Sequence, residues 1–187
     1  MKHIAKFILW ISGWKVVGKT EPQMKKCIFI QAPHTSMSDF LWGRLGLWQL
    51  GANVKFLIKK EMFFFPFGGL LKALGGIPID RGRGNNVVDQ IVEMFNTRDD
   101  FSLVITPEGT RKYTERWKKG FYHIATRANV PIYLAYLDYE KKEGGPGRIF
   151  HLTGDYEKDF AEIQEFYKDK VAKYPENFNL SKQYQNK

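Results

Sequence analysis

A histidine and an aspartate five positions apart are the first residues of this chain whose types suit acid–base chemistry. His34 and Asp39 lie in the polar segment 33–39. A histidine side chain is the one best suited to take up a proton near neutral pH. A carboxylate bonded to its second ring nitrogen would fix the tautomer and stabilise the imidazolium that forms. The spacing also suits a loop histidine followed by an aspartate that caps a helix, so both interpretations stay open.

Two serines in the same segment offer a different chemistry. Ser36 or Ser38 could be a nucleophile with His34 as its base. However, the chain contains no Gly-x-Ser-x-Gly sequence, which forms the turn that exposes a nucleophilic serine in α/β hydrolases. The sequence therefore does not favour a serine nucleophile.

A second polar segment, 75–84, is rich in glycine and arginine. Arg81 carries a planar guanidinium group that suits phosphate oxygens, and the neighbouring glycines would let main-chain amides approach an anion. The alternative is a local ion pair between Asp80 and Arg81 in a glycine-rich turn. The glycine spacing does not match a dinucleotide-binding fingerprint.

A third polar segment, 106–111, follows a strongly β-prone run. It offers an acid, a flexible residue, a hydroxyl and a guanidinium, which could bind a phosphate and the hydroxyls of a glycerol together. The alternative is a Pro-Glu-Gly turn with a capping threonine. The candidate ligand-binding residues are Glu108, Gly109, Thr110 and Arg111.

Strands and helices alternate along the chain, which indicates one α/β domain with a mostly parallel central sheet flanked by helices. Ligands bind beyond the carboxyl ends of such strands, and each polar segment follows a predicted strand, so we expect one shared site. The chain from residue 174 is predicted to be loose. The predicted strands are 27–32, 54–58, 76–80, 101–106, 130–139 and 148–153. The predicted helices are 39–50, 62–74 with a break near Pro66, 87–96, 118–128 and 159–171.

The N-terminal segment, 1–24, is predicted to contain an amphipathic helix on a membrane surface, ahead of the α/β domain 25–187. Lysines surround its apolar face, and Trp10 and Trp14 would suit the headgroup region. The alternative is a helix that packs into a soluble core. The apolar residues at helical spacing are Ile4, Phe7, Ile8, Ile11 and Trp14.

The composition excludes some classes of protein. The formal net charge is +9 and aromatic residues make up 16%, so the surface would attract a polyanion such as an anionic membrane or an acidic protein. Nucleic acid is not favoured, because the aromatic residues do not alternate with basic ones. One cysteine, Cys27, excludes an internal disulfide, and no cluster of metal-ligand spacing predicts a metal site. No apolar run is long enough to predict a membrane-spanning helix.

The three polar segments, in this order, resemble the glycerolipid acyltransferase family, and most of all its bacterial 1-acylglycerol-3-phosphate acyltransferases. That family carries a His-x4-Asp box, a Gly-x-Ile-x-Ile-Asp-Arg box, a Pro-Glu-Gly-Thr-Arg box and a strand containing Val-Pro-Ile. The resemblance covers about residues 28 to 137. The matching segments here are 34–39, 76–81, 107–111 and 130–132.

The resemblance implies an enzyme of phospholipid biosynthesis. It would move a fatty acyl group from acyl-CoA or acyl carrier protein onto the free hydroxyl of 1-acylglycerol-3-phosphate, giving phosphatidic acid. His34 would be the general base and Asp39 its partner, and Arg81 with the segment 108–111 would hold the phosphate-bearing acceptor. The family needs no metal, no further cofactor and no acyl-enzyme intermediate, since the hydroxyl attacks the thioester directly.

The resemblance also implies a peripheral protein on the cytoplasmic face of the bacterial inner membrane, with an anionic membrane surface as a partner. The apolar stretch 62–74 could line a path for the acyl chain, or it could be ordinary core. Pro33, Thr106 and Lys112 replace residues that are frequent in the family. These departures leave open an acceptor that is another lysolipid, such as an acyl-amino-acid lipid, and more remotely a non-catalytic lipid-binding protein of the same fold.

Overall fold

A computed structural model describes residues 1–80, 82 and 86–181, and the alternation of strands and helices in it agrees with the sequence prediction. The helices are α1 (Lys2–Ile11), α2 (Met37–Leu50), α3 (Phe67–Ala73), α4 (Val87–Asn96), α5 (Gly120–Ala128) and α6 (Tyr156–Tyr167). The strands are β1 (Lys15–Val16), β2 (Lys26–Ala32), β3 (Val54–Lys59), β4 (Gly76–Ile79), β5 (Phe101–Ile105), β6 (Ile132–Asp138), β7 (Glu143–Gly145) and β8 (Ile149–Phe150).

In the described residues, all eight strands join one sheet in the order β1-β7-β6-β2-β5-β3-β4, with β8 paired to β6. The five strands from β6 to β4 are mutually parallel, whereas β7 and β8 run antiparallel to β6. β2 lies inside the parallel part, between β6 and β5, and is mostly buried on both faces, as expected for a strand covered on both sides. The predicted α/β architecture with a mostly parallel sheet is therefore confirmed.

Helices cover both faces of the sheet. On one face α4, α5 and α6 enclose the larger core, which includes Ile28, Leu103 and Ile132 from the central strands. On the other face the alternate strand residues, such as Phe29 and Val54, pack against Leu47 of α2. The site must therefore lie at an edge of the sheet, because its faces are occupied.

The N-terminal helix packs on α2 through a narrow face that contains the buried residues Ala5 and Leu9. The segment that follows adds β1 to the sheet beside β7. Trp14 lies outside the helix, buried and stacked on Trp42, so the prediction that it occupies a lipid headgroup region is wrong. The apolar residues that do stay exposed on α1 are Ile4, Phe7, Trp10 and Ile11.

Two other predictions also need correction. In the predicted helix 62–74 the break near Pro66 is present, since α3 begins at Phe67, but the residues before it form a 3-10 turn and an irregular stretch, and much of the apolar surface is exposed. The described part of the predicted loose tail, 174–181, packs on the domain: Ser181 is buried, and its amide donates to the Gln164 carboxamide oxygen. Polarity alone suggested a loose tail, but these polar groups are satisfied by the rest of the fold.

Among the described residues, no helix combines the length and the apolarity that crossing a bilayer requires.

Candidate active site

The His-x4-Asp segment is a tight connection between β2 and α2 at the carboxyl edge of the sheet. β2 ends at Ala32 and α2 begins at Met37, two residues earlier than the sequence predicted. The earlier start has a local cause. Ser36 is the N-cap, its hydroxyl accepts from the amide of Ser38, and the Asp39 carboxylate accepts from the amide of Ser36.

Asp39 is at the centre of the hydrogen bonds in this connection, and it is 2% exposed. Its Oδ2 accepts from the amides of Thr35 and Ser36, each at 2.8 Å, and lies 3.2 Å from His34 Nδ1. Its Oδ1 accepts from the Tyr139 hydroxyl at 2.6 Å. Both interpretations of the spacing are thus correct, since Asp39 caps a helix and also orients the histidine.

The charge of Asp39 determines which nitrogen of the histidine can react. Burial alone would raise the pKa of Asp39, but the hydrogen bonds from His34, Tyr139 and the Ser36 amide, with the charge of His34, together lower it. An ionised carboxylate accepts hydrogen bonds and donates none, so His34 Nδ1 must carry the hydrogen between them. Nε2 is then the ring nitrogen that can take up a proton from a substrate.

The serine mechanism gains no support from the geometry. The hydroxyls of Ser36 and Ser38 lie 2.8 Å from each other, and Lys173 Nζ donates to Ser38 Oγ. Within the described residues, neither hydroxyl is hydrogen-bonded to His34. These serines stabilise the start of α2 rather than form a nucleophile–base pair.

Tyr139 is a site residue that the sequence did not indicate. It follows β6, one hundred positions after Asp39, so no local spacing could connect the two residues. Burial and the bonded Asp39 carboxylate raise the pKa of Tyr139, and the phenol therefore stays protonated as a donor. The ring is also held edge-on against Trp14, with 5.0 Å between the ring centroids.

Removal of the Tyr139 hydroxyl is a first test of this arrangement. Because a hydrogen bond to a charged group contributes about 1.5–3 kcal/mol, Tyr139→Phe is expected to lower kcat/KM by about tenfold or more. Tyr122→Phe is the matched control, because Tyr122 donates to the buried Asp159 at 2.9 Å. Equal losses of activity in the two variants would show that Tyr139 has no special role.

Glu108 contacts the histidine segment from the neighbouring strand connection. Its Oε1 accepts from the main-chain amide of His34 at 2.9 Å, and the residue is 4% exposed. Burial raises the pKa of Glu108 to about 8, and the charge of Asp39 acts in the same direction, while the amides of Glu108 and His34 oppose the rise. A largely neutral Glu108 fixes the His34 backbone without adding a second negative charge beside Asp39. Its predicted contact with the acceptor stays a prediction.

The other predicted ligand-binding residues that the structure describes are exposed. Gly109 has a φ of +65° in a turn closed by its amide and the Thr106 carbonyl, which agrees with the alternative of a Pro-Glu-Gly turn and leaves its ligand-binding role a prediction. Thr110 and Arg111 are exposed beyond it. The predicted phosphate-binding residue Arg81 lies outside the described residues.

Lys118 is a further candidate site residue. Its amide donates to the Pro107 carbonyl at 2.7 Å. Its side chain crosses Gly109 so closely that a β-carbon there would lie 2.6 Å from Lys118 Cε. The lysine side chain could move aside, so it is the left-handed φ of Gly109 that favours glycine at this position, and Lys118 brings an ammonium group to the same edge as His34.

An apolar cavity of about 640 Å³ opens where these segments meet. His34, Gly109 and Lys118 belong to its lining, and its apolar residues come from both faces of the sheet. Phe40, Leu47, Val54 and Phe56 contribute from the α2 side, and Val88, Ile91, Phe121 and Ile124 contribute from α4 and α5. The volume lies within the range of about 300–1,000 Å³ that is usual for ligand pockets.

The C-terminal part of the described chain supports the histidine segment from outside. The amide of Tyr174 donates to Thr35 Oγ1 at 3.2 Å, next to the contact of Lys173 with Ser38. Asn179 accepts from the indole of Trp117 at 2.9 Å. The sequence signal for these contacts was weak, because the stretch is polar and far from the motifs.

A parallel sheet with an oriented histidine at the mouth of an apolar cavity defines an α/β protein that can activate a polar group on a long apolar substrate. The family described as Acyltransferase matches residues 14–137, about two thirds of the sequence. The chain belongs to this acyltransferase family, which confirms the resemblance of its four segments.

Characterised relatives share this part of the chain. A 1-acyl-sn-glycerol-3-phosphate acyltransferase of Cocos nucifera is 31% identical over 134 residues, which cover 68% of this chain and 42% of the relative. The enzyme of that name from Saccharomyces cerevisiae is 30% identical over 138 residues, 70% of this chain and 44% of the relative. The chain thus spans less than half the length of these relatives.

A solved structure has the same fold. The crystal structure of the 1-acyl-sn-glycerophosphate acyltransferase PlsC from Thermotoga maritima superimposes with a TM-score of 0.58. The match covers 88% of this chain and 73% of that one, at 16% sequence identity. At this identity the comparison supports the architecture and not the individual residues.

Proposed function

We propose that the protein is an O-acyltransferase that transfers a fatty acyl group from a thioester to the free hydroxyl of 1-acylglycerol-3-phosphate, giving phosphatidic acid. The observation that carries the proposal is the His34–Asp39 pair at the mouth of the apolar cavity. The names of the relatives support this acceptor. The donor would be acyl-CoA or acyl carrier protein, since both carry the acyl group as a thioester.

The residues of the pair account for the chemistry. His34 Nε2 takes the proton of the acceptor hydroxyl as its oxygen attacks the thioester carbonyl carbon, and Asp39 stabilises the imidazolium that forms. A carbon–oxygen bond forms and the carbon–sulfur bond breaks. The proton then passes from His34 to the departing thiolate. A thioester is reactive enough that a base and correct positioning suffice.

The cavity accounts for the acyl chain. Its walls are mostly apolar and His34 belongs to its lining, so an acyl chain would lie inside with its thioester next to the His34 ring. No residue of the stretch 62–74 belongs to this lining, so the expectation that this stretch lines the acyl path is not supported. Phe40 and Phe56 fill that role instead, with their ring centroids 4.6 Å apart.

The phosphate of the acceptor is assigned to Arg81 and Arg111. Arg111 is exposed at the edge of the sheet that carries His34, where an anion can reach it. Because a charge-assisted hydrogen bond contributes about 1.5–3 kcal/mol, Arg111→Ala should raise KM for 1-acylglycerol-3-phosphate by about tenfold or more. KM for a phosphate-free monoacylglycerol should stay unchanged, and Arg81→Ala should show the same pattern. Arg148→Ala, which breaks a surface ion pair with Glu162, is the control. Equal effects on both acceptors would contradict the assignment.

The direct test is an assay with purified protein. Palmitoyl-CoA or palmitoyl-acyl carrier protein is mixed with a panel of lysolipids, which includes 1-acylglycerol-3-phosphate and an acyl-amino-acid lipid, and the diacyl product is measured. Folded protein that acylates no acceptor would contradict the enzymatic proposal. Preference for the acyl-amino-acid lipid would keep the chemistry and replace the acceptor.

We also propose that the protein associates peripherally with the cytoplasmic face of the bacterial inner membrane. The exposed apolar side of α1, with Phe7 and Trp10, and the net charge of +9 support contact with an anionic lipid surface. The same charge would attract an acidic carrier protein.

A further inference from the structure

The connection between β3 and β4 exposes large apolar side chains that neither the core nor the cavity uses. Phe65 is 95% exposed, the highest value among the exposed large apolar residues. Contiguous apolar surface of this kind marks a place of interaction in a stable domain. We call its members the aromatic patch: Met62, Phe64, Phe65, Phe67 and Leu70, each at least half exposed.

The register of the sheet locates the aromatic patch relative to the histidine. Phe56 of β3 and Phe29 of β2 both lie opposite Val104 of β5, so Lys59 is level with Ala32. The strands are parallel, and the chain therefore leaves β3 at the same edge where β2 leads into His34. Two strand spacings of about 4.8 Å separate these exits, or about 10 Å.

The surroundings of the patch indicate the chemistry of its partner. Lys59 and Lys60 precede it and Lys72 follows it, all three are exposed, and Glu61 is the one acid between residues 59 and 74. Aromatic rings flanked by lysines suit the interface of a bilayer with anionic headgroups. Phe56 and Leu57, just before the patch, line the cavity. A membrane surface bound at the patch would therefore lie next to the cavity.

We propose that the aromatic patch inserts into the surface of a bilayer that contains anionic lipid and holds the mouth of the cavity against it. The proposal rests on the peripheral membrane position proposed above and specifies a second contact besides α1. An acceptor lipid would then reach His34 from the membrane without crossing bulk water. The competing occupant is a second copy of the chain.

Vesicle binding tests the contribution of the rings. Flotation with vesicles of phosphatidylcholine and phosphatidylglycerol measures the partition coefficient, and Phe64→Ala/Phe65→Ala is expected to lower it by about tenfold or more. Lys59→Gln/Lys60→Gln should lower it on these vesicles and not on pure phosphatidylcholine. Lys25→Gln/Arg98→Gln removes the same charge from the opposite edge, since these residues precede β2 and β5, and should have a smaller effect.

A label at the patch tests insertion without relying on weakened binding. Phe65→Cys carries an environment-sensitive dye, and its emission should shift to the blue when these vesicles are added. Arg98→Cys, at the opposite edge, should show no shift. Cys27 will not compete for the dye, because it is buried and burial raises the pKa of its thiol to about 12.

Two results would overturn the proposal. One is an unshifted dye at Phe65 in protein that binds vesicles through α1, as shown by loss of binding in Trp10→Ala. The other is a dimer in solution that dissociates in Phe64→Ala/Phe65→Ala while vesicle binding is unchanged. Turnover of a short-chain acceptor dispersed without vesicles separates this proposal from the proposed function, because that turnover needs the base and not the patch.

Discussion

Replacement of His34 by alanine is expected to lower kcat by a factor of about 10²–10⁴, the usual contribution of a positioned general base. Nδ1 of the ring is held by Asp39, so Nε2 has a defined direction toward the cavity. Without the ring, the acceptor hydroxyl must lose its proton to water. The measurement is kcat with palmitoyl-CoA and 1-acylglycerol-3-phosphate at saturating concentrations.

His34→Ala should leave the fold intact. The main-chain amide that donates to Glu108 remains, and the side chain is 20% exposed, so the free energy of unfolding should change by no more than about 1 kcal/mol. His123→Ala is the control, because His123 is exposed on α5 and has no assigned role. If His34→Ala retains more than a tenth of the activity, the assignment of the base is wrong.

Asp39→Asn is expected to impair both activity and stability. The carboxylate accepts hydrogen bonds from two main-chain amides, from His34 and from Tyr139. An asparagine side chain has the same shape, but its NH2 group is itself a donor and would face some of these donors. We expect kcat to fall by about 10²-fold or more, since the tautomer of His34 is no longer fixed. The free energy of unfolding should fall by about 2–3 kcal/mol, the range for losing hydrogen bonds to a buried charge.

The loss of stability should depend on pH in a defined direction. The folded protein lowers the pKa of Asp39 below its ordinary value, so ionised Asp39 stabilises the fold at pH values above that ordinary value. This contribution disappears as the pH falls through the pKa of the folded state. Denaturant unfolding of the native protein and Asp39→Asn should therefore give converging free energies below pH 4 or so. A difference that persists unchanged in acid would show that the cost arises from packing rather than charge.

The sequence predicted the fold well because each strand of the sheet is a short apolar run that can be recognised locally. The run 27–32 became β2, 101–106 became β5 with one residue fewer, and the helix 87–96 matched α4 at both ends, where Asn86 caps it. Alternation of such runs with amphipathic helices permits few arrangements other than a parallel sheet. The edge at which the polar segments meet followed from that arrangement.

The site was predicted in part. The pairing of His34 with Asp39 was accessible, because five positions fit a loop and the first turn of a helix. The contact of Tyr139 with Asp39 was not, because it depends on the register between β6 and β2. Nor could apolar composition show that Phe64 and Phe65 would face solvent, since a run of phenylalanines suits a core, a cavity or an interface equally well.

The contacts that support the connection between β2 and α2 come from residues that are synthesised much later than the connection itself. Thr35 and Ser38 are bonded by Tyr174 and Lys173, and Asp39 is bonded by Tyr139, so the partners are synthesised one hundred residues or more after the segment they support. A nascent chain could therefore pair β2 with β5 while this connection still lacks three of its contacts. The connection that carries His34 would therefore be completed only late in biosynthesis, after residue 174 has left the ribosome.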